Sequence, residues 1–226
     1  MNHLLTIFTL FFCFSFSLSP MSQSIDPQAK TKQGQLLLDN PTENPMAIEI
    51  RAAERIQKPD GTEEMPDTSE LMVYPPQLIV PPKEKRTIRI QWTGQTPKSE
   101  KAFRIIAEQL PLEVEEKKTK KTGIKMLLKY IAAFYVTPTE SQSKVDIESI
   151  EANEKLIITI VNSGSKHQLL QNATLTLKGA KKSIKLEGEA LKGLMGENIL
   201  AGAKRIFKIN LPKDFSSDMK GSLKFD

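Results

Sequence analysis

The stretch "YPPQLIVPPKEKRTIRIQWTG", residues 74–94, decides the fold. Within it, Arg86-Thr87-Ile88-Arg89-Ile90-Gln91-Trp92 alternates strictly. Successive side chains of an extended chain point to opposite faces. Ile88, Ile90 and Trp92 therefore share one face and Thr87, Arg89 and Gln91 the other, the pattern of a half-buried strand. Two proline pairs, Pro75–Pro76 and Pro81–Pro82, bracket the short apolar patch at 77–80. Proline has no amide hydrogen for a ladder, so these residues belong at an edge, a strand start or a crossing. Lys83-Glu84-Lys85 then makes a polar turn. Short strands punctuated by proline are the grammar of an all-β chain.

Working outward, strand-like runs recur at 35–38, 46–50, 103–110 and 124–136, and then at 155–161, 173–177, 183–186, 205–209 and 222–225. Turn signals separate them, among them residues 39–45 and Pro59-Asp60-Gly61. Residues 190–194 hold at best one helical turn. The proline-led polar stretch 138–144 marks a boundary. Short strands without helices read as sandwiches, and the length fits two immunoglobulin-like β-sandwich domains, 16–138 and 139–226.

The composition narrows the function. With 39% hydrophobic and 26% charged residues in 226, the chain is that of a folded protein, and its net charge of +5 is mild. Aromatic residues are only 6%, too few to stack nucleobases along a basic stripe, so no nucleic-acid role is expected. The basic run Lys117-Lys118-Thr119-Lys120-Lys121 follows Glu113, Glu115 and Glu116 and reads as a solvated loop. The apolar N-terminus at 4–18 is too short to span a bilayer comfortably and reads as a secretory signal peptide, without membrane insertion of the mature chain. Cleavage near Cys13-Phe14-Ser15, or at the later Ser24, takes away Cys13, the only cysteine. The two histidines are His3, in that leader, and His167, whose Ser-Gly-Ser-Lys loop reads as surface. No catalytic triad, metal site, cofactor motif or small-molecule site follows from such residues, and no enzyme is expected. Asn172-Ala173-Thr174 matches the glycosylation triplet, which is too short to carry weight.

The run at 124–136 would be an unusually long strand. Ile124, Met126, Leu128 and Tyr130 alternate with Lys125, Leu127 and Lys129, while Ala132, Phe134 and Val136 fit a core. Periodicity alone leaves two readings open. The run is a central strand, or its first half is an exposed edge offered to a strand of another chain.

The segments "YPPQLIVPPKEKRTIRIQW", "EKAFRIIAEQLP", "YIAAFYVTP", "ITIVNSGSKHQLLQNATLTL" and "ILAGAKRIFKINLP" resemble, in order and spacing, the PapD-like periplasmic pilus-assembly chaperones of the chaperone–usher pathway. The form of the first two looks most like the archaic branch. The resemblance implies two immunoglobulin-like sandwiches in an L-shaped arrangement, working in the periplasm. It implies pilin subunits as partners, held by donor-strand complementation through Ile124, Met126, Leu128 and Tyr130, and delivery to an outer-membrane usher. Residues 16–27 look like the family's first strand, which places signal cleavage close to Ser15.

One departure matters. Familiar members clamp the pilin's C-terminal carboxylate with an Arg on the first strand and a Lys on the long strand. Here the Lys position falls on Ala132 and the Arg position on Gln23 or Ser24. A buried carboxylate still needs donors, so Arg104, with Lys129 and Arg89 behind it, is the expected anchor. The rival reading is an exported two-domain immunoglobulin-like adhesin or structural pilus component. A pilin, however, would be a single domain lacking a strand.

Overall fold

The computed structural model describes residues 16–112 and 126–225. The leader at 1–15, the basic run at 117–121 and Ile124 lie outside them.

The alternating stretch forms β9 (Lys85–Trp92), with Ile88, Ile90 and Trp92 buried and Thr87 and Arg89 exposed. It is the third strand of a sheet ordered β1 (Ser17–Ser19), β3 (Gln33–Asp39), β9, β7 (Leu71–Tyr74). A second sheet runs β2 (Ser22–Ile25), β11 (Lys129–Val136), β10 (Lys101–Leu110), β4 (Met46–Glu54), β8 (Gln77–Val80). Leu36, Leu38, Ile88 and Ile90 from the first sheet share one core with Ile48, Ile50, Phe103, Ile105 and Phe134 from the second. That shared core makes the pair a sandwich.

The prolines act as the sequence implies. The chain leaves the first sheet for the second at Pro20, between β1 and β2, and again at Pro75–Pro76, between β7 and β8. Both Ser19–Pro20 and Tyr74–Pro75 are cis. A residue without an amide hydrogen interrupts one ladder where the next begins.

A second core holds Leu156, Ile158, Ile160, Leu175, Leu177, Phe207 and Ile209. It lies between the sheet β12 (Val145–Ala152), β13 (Lys155–Asn162), β18 (Lys204–Asn210) and the sheet β16 (Ser183–Leu186), β15 (Ala173–Lys178), β19 (Lys220–Phe225). A short pair, β14 (Gln168–Leu169) and β17 (Asn198–Ile199), stands beside them. The only helical turn among the described residues is a 3₁₀ turn at Gly188–Leu191.

The long strand expected over 124–136 needs correction. Its ladder begins at Lys129, opposite Glu108, and residues 126–128 approach it without joining. β10 ends at Leu110 because Pro111 cannot continue a ladder, so its partner stops as well. The last main-chain bond there is Gln109 N–H to Leu128 O, at 2.9 Å.

The two cores are joined through a small hairpin, β5 (Ile56–Gln57) and β6 (Glu63–Glu64), turned at Pro59-Asp60-Gly61. Gln57 donates to Asn198 O at 2.8 Å and accepts from Leu200 N at 3.1 Å. Ile206 N donates to Pro59 O at 2.8 Å. Gly61 has φ +92°, and a Cβ there would stand 2.5 Å from Arg205 Nη2. That guanidinium is buried and held by Glu197 and Asn198 O, so it cannot swing clear. Gly61→Ala should therefore lose upwards of about 1 kcal/mol of stability. Denaturant unfolding reads it, and a midpoint equal to the parent's would refute the close contact.

Candidate functional site

β11 has one side half open. β2 pairs with it in parallel from Ala133 (opposite Ser22) to Val136 (opposite Ile25), so residues 129–132 lack a ladder partner on that side among the described residues. Phe16 closes against this end. Its ring meets Tyr130 edge to face at 4.8 Å, and Tyr130 Oη–H donates to Phe16 O at 2.8 Å. Tyr130 and Leu128 are half-buried against the first core, whereas Met126 is 74% exposed. The same period-2 face runs inward through Ala132 and Phe134, both fully buried. Where this core-facing row outruns its own sandwich, Met126 is left uncovered among the described residues. Leu127 and Ile131, to which the sequence assigned no role, are also exposed.

Beside this edge lies a polar cluster to which both sandwiches contribute. Arg104 stands on β10 between Ala53 and Ala133. Its Nε donates to Glu63 Oε2 at 2.9 Å and its Nη2 to Glu63 Oε1 at 2.8 Å. Arg55 reaches the same Oε1 with Nε at 2.8 Å and Nη2 at 2.6 Å. Its Nη1 donates to Tyr135 Oη at 3.0 Å, which also accepts from Asn198 Nδ2 at 2.9 Å. Tyr135 stacks on His167 with ring centroids 4.1 Å apart. His167 Nδ1 and its main-chain N–H both meet Glu100 Oε1, at 2.7 and 2.9 Å, and Thr137 donates to the other oxygen.

Burial opposes ionisation of Glu63, but hydrogen bonds and charge from Arg55 and Arg104 outweigh it and hold the carboxyl below its usual value. The stability it contributes is therefore present above the ordinary carboxylate range and is lost as pH falls through its lowered folded value. Burial raises the Tyr135 hydroxyl above its usual value, the nearby arginines offsetting only part of the effect.

The structure does not gather the three expected cations. Arg104 is in the polar cluster, on Glu63. Lys129 pairs with Glu108 at the surface, 2.7 Å away, and faces Ala133 from four residues along β11, roughly 13 Å at 3.3 Å per residue. Arg89 is exposed on the other sheet, opposite Gln35 and Tyr74. Neither expected clamp position carries a cation: Ala132 is core, and Gln23 Oε1 is taken by Gln35 N–H at 3.0 Å. Arg55 and Glu63 were missed, although the Pro59-Asp60-Gly61 turn announces that its two flanks fold together. His167 corrects the surface reading: its side chain is only 19% exposed because the loop packs into the joint. Among the described residues no His, Cys, Asp and Glu group could hold a metal ion, and no helix is long and apolar enough to cross a membrane.

No curated protein sequence matches the chain. Its fold is similar to a chain of the chaperone–tip adhesion subunit pre-assembly complex CsuC–CsuE, from archaic chaperone–usher Csu pili of Acinetobacter baumannii. The TM-score is 0.63 at 16% identity, over 93% of this chain and 97% of that one. It is similar to the class 5 fimbriae chaperone CfaA, with TM-score 0.61 at 17% identity over 94% of this chain and all of that one. A chain from the Salmonella enterica SafA pilin–SafB chaperone complex also matches, with TM-score 0.56 at 15% identity over 87% and 85%. Residues 17–142 match the model of the pili and flagellar-assembly chaperones, PapD N-terminal domain. That span is more than half of the sequence, and the chain belongs to this family of pilus-assembly chaperones.

Proposed function

We propose that the chain is a periplasmic chaperone, of the archaic branch, that captures a pilin subunit by donor-strand complementation and passes it to an outer-membrane usher. The observation that carries this reading is the half-open edge of β11, with Met126 exposed on the face that continues the first core. Main-chain groups of residues 129–132 satisfy the open edge of a subunit lacking a strand, and apolar side chains upstream fill its groove. The work divides between residues 16–138, which hold the subunit, and residues 139–226, which brace the joint beside it. Solved complexes of related chaperones with pilin and tip subunits support the reading.

Residues 1–15 are a leader removed on export. Phe16, buried against Tyr130, supports a mature chain that begins there. The experiment is expression with its small secreted subunit, recovery from the periplasm and N-terminal sequencing. The expected result is a 1:1 complex whose chaperone starts near Phe16. A mature start beyond Ile25 would remove both β1 and β2 and sink the assignment. Recovery of the chain alone, with the subunit folded and free, would sink the chaperone reading.

A further inference from the structure

We propose that Glu63 is an internal counter-ligand of the carboxylate anchor: it occupies Arg104 in the free chaperone, and a subunit's terminal carboxylate binds in competition with it. The proposal rests on the reading of Arg104 as that anchor.

Glu63 sits on Arg104 as a bound carboxylate would, with two parallel N–H···O bonds to the Nε–Nη2 edge, at 2.9 and 2.8 Å. It does not come from the sandwich itself. It is carried by β6, a strand of two residues in the hairpin that leaves the end of β4. The burial is graded. The Arg55 side chain is 7% exposed, while Glu63 and Arg104 are 17% and 18% exposed. Arg55 is therefore the fixed floor of the site, and the Glu63–Arg104 pair is its accessible mouth.

The charges make the arrangement a competition. Two guanidiniums share one carboxylate, which leaves one positive charge over, and Arg104 Nη1 has no partner among the described residues. The site attracts a further anion, yet that anion arrives beside the negative charge of Glu63. Like charges a few ångströms apart in a half-buried site repel. An incoming carboxylate therefore gains most by taking the place of Glu63 on Arg104. Baring two buried guanidiniums would be costly, whereas exchanging one carboxylate for another is not. When the subunit leaves, Glu63 returns, so neither the empty nor the loaded chaperone holds an unpaired arginine pair. The exchange lowers the affinity of the anchor, which suits a chaperone that must release what it captures.

Glu63→Gln keeps the side chain's shape and removes its charge. The co-purified subunit in its native form should be held at least tenfold more tightly by Glu63→Gln than by the parent. The same subunit with an amidated C-terminus should be held equally by both. Weaker binding of the native form would overturn the proposal and make Glu63 a support for Arg104. Any equal response of the two forms, no change included, would also overturn it, because an amide cannot enter a competition between carboxylates. Glu63→Ala supplies a second measurement that needs no subunit. Its melting temperature should rise saturably with acetate but not with chloride at equal ionic strength, while the parent is indifferent. Adding Arg104→Ala should remove the response. If acetate does not rescue Glu63→Ala, or acts equally on the parent, the site does not exchange carboxylates. This arm reads carboxylate exchange at the Glu63–Arg104 pair without any subunit, so its failure is separable from a failure of Arg104 as the subunit's anchor.

Discussion

Met126→Asp is expected to leave the chaperone folded and to abolish capture of a subunit. The side chain is 74% exposed, sits just before the ladder of β11 and makes no contribution to the first core. Surface changes of that kind usually alter stability by about 0.5 kcal/mol or less. In the proposed complex, burial of Met126 in the subunit's groove would be worth roughly 1.5–3 kcal/mol. Placing a carboxylate there adds the cost of an unpaired charge in an apolar groove. Loss of the apolar contact alone weakens binding by about ten- to 150-fold, and the charge takes it further. Leu128→Asp is the informative contrast. Leu128 packs against the first core, so its replacement should lower the melting temperature as well as the affinity. Paired thermal unfolding and subunit-binding measurements on the two variants decide the matter. If Met126→Asp shifts the unfolding transition as Leu128→Asp does, Met126 is core. If it binds subunit like the parent, the groove is filled by other residues.

The contrast between Met126 and Leu128 shows what a sequence can and cannot reveal. Period-2 alternation is a local signal, so the core-facing sides of β9 and β11 were legible: Ile88, Ile90, Trp92, Phe134 and Val136 are all buried. The length of a ladder is not local. It depends on where the neighbouring strand ends, and Pro111 ends it on β10, which is why the alternation overstates the strand over residues 126–128. The proposed anchor fails to read through for a similar reason. Arg104 could be listed as a strand cation, but its partner Glu63 lies 41 residues away, on a hairpin whose docking depends on Gln57 finding Asn198 and Leu200. His167 looks like a surface residue in its own loop, and it packs against Tyr135 and Glu100 of the other sandwich. Contacts between sandwiches have no period along the chain.

Arg104→Ala should cost the chaperone on the order of 2–5 kcal/mol of subunit affinity, the usual effect of truncating one partner of a buried hydrogen-bonded charge pair. Competition with Glu63 places the expected loss at the lower end of that range, because part of Arg104's attraction is already satisfied in the free chain. Arginine suits the position because its planar fork offers two edges to carboxylates. The variant should fold, since Glu63 retains both bonds from Arg55 and the remaining pair is neutral. Lys129→Ala is the control on the same sheet. Its pairing with Glu108 is at the surface and worth at most about 1 kcal/mol, and it stands too far along β11 to reach the same carboxylate. A subunit with an amidated C-terminus separates charge recognition from strand pairing: it should bind the parent more weakly than the native subunit does, and should hardly respond to Arg104→Ala. If the variant instead holds native and amidated subunits as tightly as the parent does, Arg104 serves only the joint between the sandwiches. The subunit's carboxylate is then received outside the Arg55–Glu63–Arg104 cluster.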